Sequence, residues 1–441
     1  MKVKPAKLCL VLSLLLPAAA FAAGGPPALT LAEAVSRGIG TSPEYGVAAR
    51  QKNEAQELLS EAGAGDLPEL DLQAQEGRQH TVSPLLFPNH QNLWTGQGSL
   101  TLTQLLFDGF GTKRLVKSRA YGLQSASYHV DEVGELLGLD IVQAYLDVLR
   151  QRDLLEIARA NVDDHLKILD TVQAGFAGGT ATAGDVAQVG ARLGSARATV
   201  ASVEQDLRTA EDLFLQKEGE MPVNLIPPVV PYDRLPENIA SGVQASLRSN
   251  PTLAVSRAQA KAALEGYRQT DSPLYPKVDF QVNGTDGANE SGVRGNQSSA
   301  AALVVLTWNL YRGGGDADRR REYMQRYKEA MFRAAVTARQ VEKDYRDTSA
   351  ALDSARTRAA EFATQSKADR KVVRVYLDQF KMSRRTLLDV LDAQNELFIA
   401  RADHMNAAYA ADFAVYRLLA LEGKMLSVLG VTMPRETRTV R

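Results

Sequence analysis

Leu67-Pro68-Glu69-Leu70-Asp71-Leu72-Gln73 returns, 208 positions on, as Tyr275-Pro276-Lys277-Val278-Asp279-Phe280-Gln281. In both copies a proline ends the preceding helical pattern, and apolar side chains then alternate with polar or charged ones. Period-two alternation predicts a strand with one apolar and one polar face. Working outward, Ser42-Pro43-Glu44 recurs at the same spacing as Asn250-Pro251-Thr252. Further along, the spacing becomes 204: Leu106-Phe107-Asp108-Gly109 answers to Leu310-Tyr311-Arg312-Gly313, and Phe176 with Asp185-Val186 answers to Phe380 with Asp389-Val390. Landmarks in one order, with a single four-residue slip, mean that the chain is written twice.

Each copy reads as a helix, a strand pair, then very long helices. Leu29 to about Ala64 reads as one helix, with Thr30 and Glu33 forming a capping box at its start. Leu70, Leu72 and Ala74 alternate with polar residues, as do Leu100 and Leu102 before Phe107; Val278, Phe280, Val282 and then Ala302, Val304, Leu306, Trp308 and Leu310 repeat the pattern. Strands of roughly 10–14 residues are long for a soluble sheet and suit tilted strands through a bilayer. Trp94, Phe107, Trp308 and Tyr311 fall towards strand ends, where a membrane-interface girdle places aromatics. An ordinary soluble hairpin fits the strand pattern alone equally well. Thr112 to Gln173 and Asp316 to Tyr376 lack proline and carry apolar residues at three- and four-residue spacing. A helix of about 60 residues extends about 90 Å, too long for a compact core, so coiled-coil-like packing is expected. Returning helices follow from Asp185 to Lys217 and from Leu387 to Leu429. The expected division is a signal peptide over 1–22, a first repeat over 23–220, a Pro-rich connector over 221–236, a second repeat over 237–432, and a short charged tail over 433–441.

Composition narrows the function. The 441 residues carry 51 Lys+Arg against 52 Asp+Glu, a formal net charge of −1, so nothing electrostatic points to nucleic acid. Seventeen Pro and 33 Gly are too few for a disordered or fibrous chain. One Cys and five scattered His argue against a disulfide framework and against a zinc site. Lys2, Lys4 and Lys7, the apolar run Leu8 to Leu16, Pro17 and Ala20-Phe21-Ala22 form a secretory signal peptide, and Cys9 lies inside its apolar run rather than at a lipidation site. No later stretch approaches the ~18 apolar residues of a membrane-spanning helix. No Ser/His/Asp, Cys/His or metal constellation is visible, so no enzyme, metal or cofactor is expected. Gly109-Phe110-Gly111-Thr112-Lys113 lacks the spacing of a phosphate-cradling loop. Arg319-Arg320-Arg321 reads as a solvated basic patch in preference to a lipid-headgroup or tunnel-lining one. Four strands cannot close a barrel, and an open edge does not survive in hydrocarbon, so membrane-embedded strands require two, three or four chains together.

The run Phe380-Lys381-Met382-Ser383-Arg384-Arg385-Thr386-Leu387-Leu388-Asp389-Val390-Leu391-Asp392-Ala393-Gln394-Asn395-Glu396-Leu397 resembles the signature of the TolC family of outer-membrane efflux and secretion channels. The order of helix, strand pair and long helices matches that family over essentially the whole mature chain. The resemblance implies an α+β membrane protein: a homotrimer with a 12-stranded β-barrel in outer-membrane lipid, continued by a periplasmic α-helical coiled-coil tunnel. It implies a passive conduit that docks on a periplasmic adaptor and an inner-membrane transporter. The family's inner aspartate rings match Asp389 and Asp392, which lie one helical turn apart; two aspartates at that spacing are otherwise a solvated face. Family members close the tip with an arginine, a tyrosine and an aspartate; Arg385 matches the arginine and Asp185 the aspartate. Phe380 stands at the tyrosine position without a hydroxyl, so the resemblance puts more of the closed state on Arg385–Asp185. The adaptor-docking turns correspond to Gly178-Gly179-Thr180 and Met382-Ser383-Arg384, which depart from the family's familiar Val-Gly-Leu tip. The wording of the run is nearer to members serving type I protein secretion with an ABC transporter. Drug or metal efflux is the alternative, and a soluble periplasmic coiled-coil adaptor is the alternative of another class.

Overall fold

The computed structural model describes residues 28–432; the predicted signal peptide and tail lie outside the described residues. Helix α1 (Leu31–Thr41) opens on the expected capping box, Thr30 and Glu33 each satisfying the other's backbone N–H. The single helix expected up to Ala64 is broken at Ser42, whose hydroxyl caps a new helix, α2 (Pro43–Ala64). A proline has no N–H and fits only the first turn of a helix, so the chain restarts there. Asn250-Pro251 repeats the device between α5 (Ile239–Ser249) and α6 (Pro251–Gln269).

Four strands form one antiparallel sheet in chain order: β1 (Glu69–Val82), β2 (His90–Phe107), β3 (Lys277–Ala288) and β4 (Asn296–Thr307). At 18 residues β2 is longer than expected. Register explains the alternation seen in the sequence. Leu70, Leu102, Val282 and Ala302 stand in one row across the sheet, and Leu72, Leu100, Gly284 and Ala300 in another. Between them runs a row of Asp71, Thr101, Asn283 and Ala301. Directly opposed residues share a face, so in the rows nearest the helices one face of the sheet is apolar and the other polar; further along, the same face carries Glu76, Arg78, His80 and Asp286. The apolar face is bare: Leu72 is 78% exposed and Val304 67%. Both outer strands present an unpaired edge within the protomer.

Below the sheet stand α3 (Gly111–Ala177) and α7 (Gly315–Lys381), 67 residues each and so about 100 Å long. Each begins just after a left-handed residue, Phe110 (φ 66°) or Gly314 (φ 86°), which turns the strand direction into the helix. Helices α4 (Ala183–Glu218) and α8 (Leu387–Leu421) return from the far ends, and a single turn, α9 (Met425–Val428), follows. Near the sheet the wall runs α2–α3–α6–α7; towards the far end it runs α4–α3–α8–α7.

The main core lies midway along the wall, where α1, α9 and the connector pack on it. Ile39, Ile141, Tyr145, Phe214, Tyr416 and Leu419 are fully buried there. The Tyr145 hydroxyl lies 2.7 Å from the carbonyls of Leu29 and Ile226 and accepts from the Ile226 N–H at 2.9 Å, pinning both strips of chain to α3. Within the wall, Arg114 of α3 donates to Glu265 of α6 at 3.0 Å. Burial raises the Glu265 carboxyl, but the guanidinium groups of Arg114 and Arg268 outweigh it and leave the pKa lowered. Among the described residues no helix is long and apolar enough to cross a membrane.

Candidate functional site

The far end of the wall is a pair of tight returns, one in each copy. Between α3 and α4 the chain passes Gly178, Gly179 (φ 76°) and Thr180; between α7 and α8 it passes Met382, Ser383 (φ 57°) and Arg384. The Thr180 N–H closes back on the Gly175 carbonyl at 2.8 Å, and the Arg384 N–H on the Gln379 carbonyl at 2.9 Å. Ser383 sits 204 positions after Gly179, in the same left-handed conformation, which costs a side-chain-bearing residue about 1–2 kcal/mol. All six turn residues are exposed.

Both returning helices start on a capping box, Thr182 with Asp185 and Thr386 with Asp389. The Thr386 hydroxyl donates to Asp389 at 2.8 Å. That bond, ahead of the backbone N–H of Thr386 and the charge of Arg385, holds the Asp389 carboxyl below the usual range. Asp185 is occupied the same way, its carboxylate 2.8 Å from the Thr182 hydroxyl. The repeated Thr-x-x-Asp spelling was a legible sign of these caps. Asp392 is exposed on α8 and lies 3.4 Å from Arg192 of α4, a cation that the sequence reading did not single out.

Arg385 does not meet Asp185 within the protomer. Its guanidinium lies 3.9 Å over the ring of Tyr376, donates through Nε to Gln379 at 3.3 Å and stands 3.7 Å from Asp389. The tyrosine that matters to Arg385 is thus one helical turn before Phe380. Phe380 joins a small tip core with Ile168, Val172, Val189, Leu387, Val390 and Leu391. Nothing local in the sequence marks Tyr376 as the partner, because the pairing depends on how the return folds.

At the sheet, Trp94 is 63% exposed on the apolar face and donates to Glu76 across the strand pair at 2.5 Å. Phe107 ends β2 and meets Phe110 and Tyr275 edge-on, with centroids at 5.5 and 6.4 Å. Trp308 and Tyr311 follow β4 and are exposed. The basic run beside them is less free than expected: Arg320 pairs with Asp271 at 3.0 Å and lies over Tyr267, Arg319 lies over Tyr323, and Arg321 pairs with Asp318. A residue that the sequence reading missed is Glu135 of α3, buried to 8% exposure with Oε2 unpartnered. Burial drives its pKa up to about 8; the N–H groups of Leu426 and Met425 oppose the shift, and Asp131 adds to it. Among the described residues no cluster has the ligands for a metal ion.

The chain thus joins a sheet with exposed apolar rows to a wall of helices about 100 Å long. The family described as outer membrane efflux protein matches residues 36–213 and 242–424, one block in each copy. The chain belongs to the outer membrane efflux protein family. It is 25% identical over 334 residues to the outer membrane efflux protein BepC of Brucella suis, covering 75% of this chain and 73% of that protein. It is 24% identical over 394 residues to the outer membrane protein TolC of Escherichia coli, covering 84% and 77%. It is 23% identical over 404 residues to the alkaline protease secretion protein AprF of Pseudomonas aeruginosa, covering 87% and 82%. The fold is that of the outer membrane protein VceC of Vibrio cholerae, with a TM-score of 0.77 at 18% identity over 89% of this chain and 96% of that one. This member of the efflux protein family is therefore a TolC-like channel protein of the Gram-negative outer membrane. Family membership also sets aside the soluble adaptor.

Proposed function

We propose that the chain is the exit duct of a tripartite exporter, a passive conduit gated at its periplasmic tip. Three copies would close a 12-stranded barrel in outer-membrane lipid, with β4 of one copy pairing β1 of the next. The observation that carries this reading is the sheet itself, apolar on one face and polar on the other in the rows nearest the helices, and unpaired at both edges. Each unsatisfied backbone group in hydrocarbon costs several kcal/mol, so the edges must be closed by further copies. Six carboxylates from Asp389 and Asp392 would then surround the tip and favour cations, offset in part by Arg192. The exposed turns at Gly178, Gly179 and Thr180 and at Met382, Ser383 and Arg384 are the surfaces for a periplasmic adaptor.

Protein secretion with an ABC transporter at the inner membrane is the first reading of the cargo. It is supported by the wording of the Phe380–Leu397 run and by the likeness to AprF, whose name describes protease secretion. Efflux of toxic compounds is the second, supported by the likeness to BepC. The test is the secreted proteome of a strain lacking this gene, with susceptibility to a toxic-compound panel scored on the same cultures. Loss of one large secreted protein at unchanged susceptibility supports the first reading. Unchanged secretion with raised susceptibility moves the assignment to efflux, and no change in either refutes the exporter.

A further inference from the structure

We propose that a cavity halfway along the wall binds an organic cation, one ammonium on an apolar body, and that Glu135 is the carboxylate that holds it. The site belongs to the single chain and goes beyond the duct reading, so its test does not depend on export.

Two shorter helices meet end to end between the continuous α3 and α7. Helix α8 stops at Leu421 and α6 starts at Pro251, and the Asn250 side chain donates to the Leu421 carbonyl at 3.0 Å across the joint. A joint between helix ends fills less space than a continuous helix, and a cavity of about 470 Å³ lies beside it. That is room for a small organic molecule. Leu139 and Phe413 supply apolar lining, while Glu132, Glu135, Asp140 and Asp344 bring four carboxylates to it. Arg417, which is exposed, is the one cation lining it among the described residues.

Three of the four carboxylates are already engaged. Glu132 lies 2.8 Å from His129 Nδ1, Asp140 accepts from Lys217 Nζ at 2.7 Å, and Asp344 accepts from Gln340 Nε2 at 2.8 Å. Glu135 is the exception. It is 8% exposed and lies against the Leu426 and Met425 N–H groups, yet its Oε2 has no hydrogen-bond partner among the described residues. A buried acceptor without a donor is destabilising, and an ammonium in the cavity supplies the donor and the opposite charge together.

The cavity opens away from the elements packed over the main core. Leu136, Leu139 and Gln143 lie on one side of α3, and Gly138, Ile141 and Tyr145, which meet α1, α9 and the connector, lie on the other. Glu135 stands between the two sides, which is why it is buried and still lines the cavity. The charged groups around it are Asp131, Glu132 with His129, and Asp140 on α3, Asp344 on α7, Arg417 on α8, and Lys424 with Glu422 before α9. Burial keeps the Glu135 proton on up to about pH 8. An amine that is charged through the neutral range therefore pairs with the ionised carboxylate and sends that proton to solvent.

The test is isothermal titration of the purified protein in detergent with 2-phenylethylamine, and with 2-phenylethanol as the uncharged probe. Wild type should bind the amine about tenfold or more tightly than the alcohol. Its amine affinity should rise about tenfold from pH 6 to pH 7, as the ionised fraction of Glu135 does, with one proton released per amine bound. Glu135→Gln should lose the preference for the amine and the pH dependence; His129 remains in that variant, so a pH dependence caused by His129 would survive in it. Leu139→Trp, which fills the cavity without touching a charge, should weaken both probes, and Glu396→Gln on α8, outside the cavity, should bind as wild type. The site is overturned if wild type takes up no amine at millimolar concentration, if wild type and Glu135→Gln bind it equally at pH 7, or if Leu139→Trp binds it as wild type does.

Discussion

Replacing Arg385 tests how the tip is held. In the structure its guanidinium rests on the Tyr376 ring at 3.9 Å, with Gln379 and Asp389 at its rim. A cation–π contact at a partly exposed site contributes about 1 kcal/mol. Losing it in one copy shifts the open-to-closed ratio of that return about 5-fold, and on the order of 10²-fold if three copies open together, since 1.4 kcal/mol is tenfold. Planar-bilayer conductance of Arg385→Ala should therefore rise well above wild type, in discrete larger openings. Companion variants separate the two possible partners. If Tyr376 holds the arginine, Tyr376→Leu opens the tip as Arg385→Ala does, Tyr376→Phe keeps the ring and stays closed, and Asp185→Asn changes little. If the link to Asp185 expected from the family resemblance is made between neighbouring copies, Asp185→Asn opens the tip and Tyr376→Leu does not. Wild-type conductance in Arg385→Ala refutes both.

Ser383→Gly should stabilise the second return by about 1 kcal/mol, because glycine adopts its φ of 57° without the cost borne by a side chain; hydrogen exchange of the tip amides should slow, and faster exchange would refute the strain. Glu135 makes stability depend on pH. Its folded pKa, about 8, lies above an unfolded value near 4.5, so its stabilising contribution is complete below pH 4.5 and is lost as pH rises through 8, by up to about 1.4 kcal/mol per pH unit. Glu135→Gln should melt higher than wild type at pH 8 and equally at pH 4.5, and identical pH profiles would refute the buried-carboxyl account.

What could be read from the sequence was local in origin. Alternation across Leu70, Leu72 and Ala74 is a property of strand geometry, and the strand register put those residues on one face as period two requires. The long helices needed only helix formers without proline, and Thr30 with Glu33 spelled their own cap. Duplication was visible because both copies kept landmarks such as Phe176 with Asp185-Val186 and Phe380 with Asp389-Val390; at the turn between them the left-handed conformation is kept while the residue is not, Gly179 in one copy and Ser383 in the other. The break at Ser42-Pro43 was equally local, and it is where proline chemistry outweighed a continuous helical pattern. Other features depended on which surfaces met in space. Arg320 reaches Asp271, 49 residues away in sequence, only because α6 and α7 are neighbours in the wall. Arg192 approaches Asp392 across two returning helices, 200 residues apart. Glu135 has an ordinary place on a helix until α9 covers it, and the desolvation that raises its pKa is a property of that packing. Periodicity fixes which face of an element is apolar, but the partner of a given side chain is chosen by long-range packing, so the residues at the tip were named from the sequence while their contacts came from the fold.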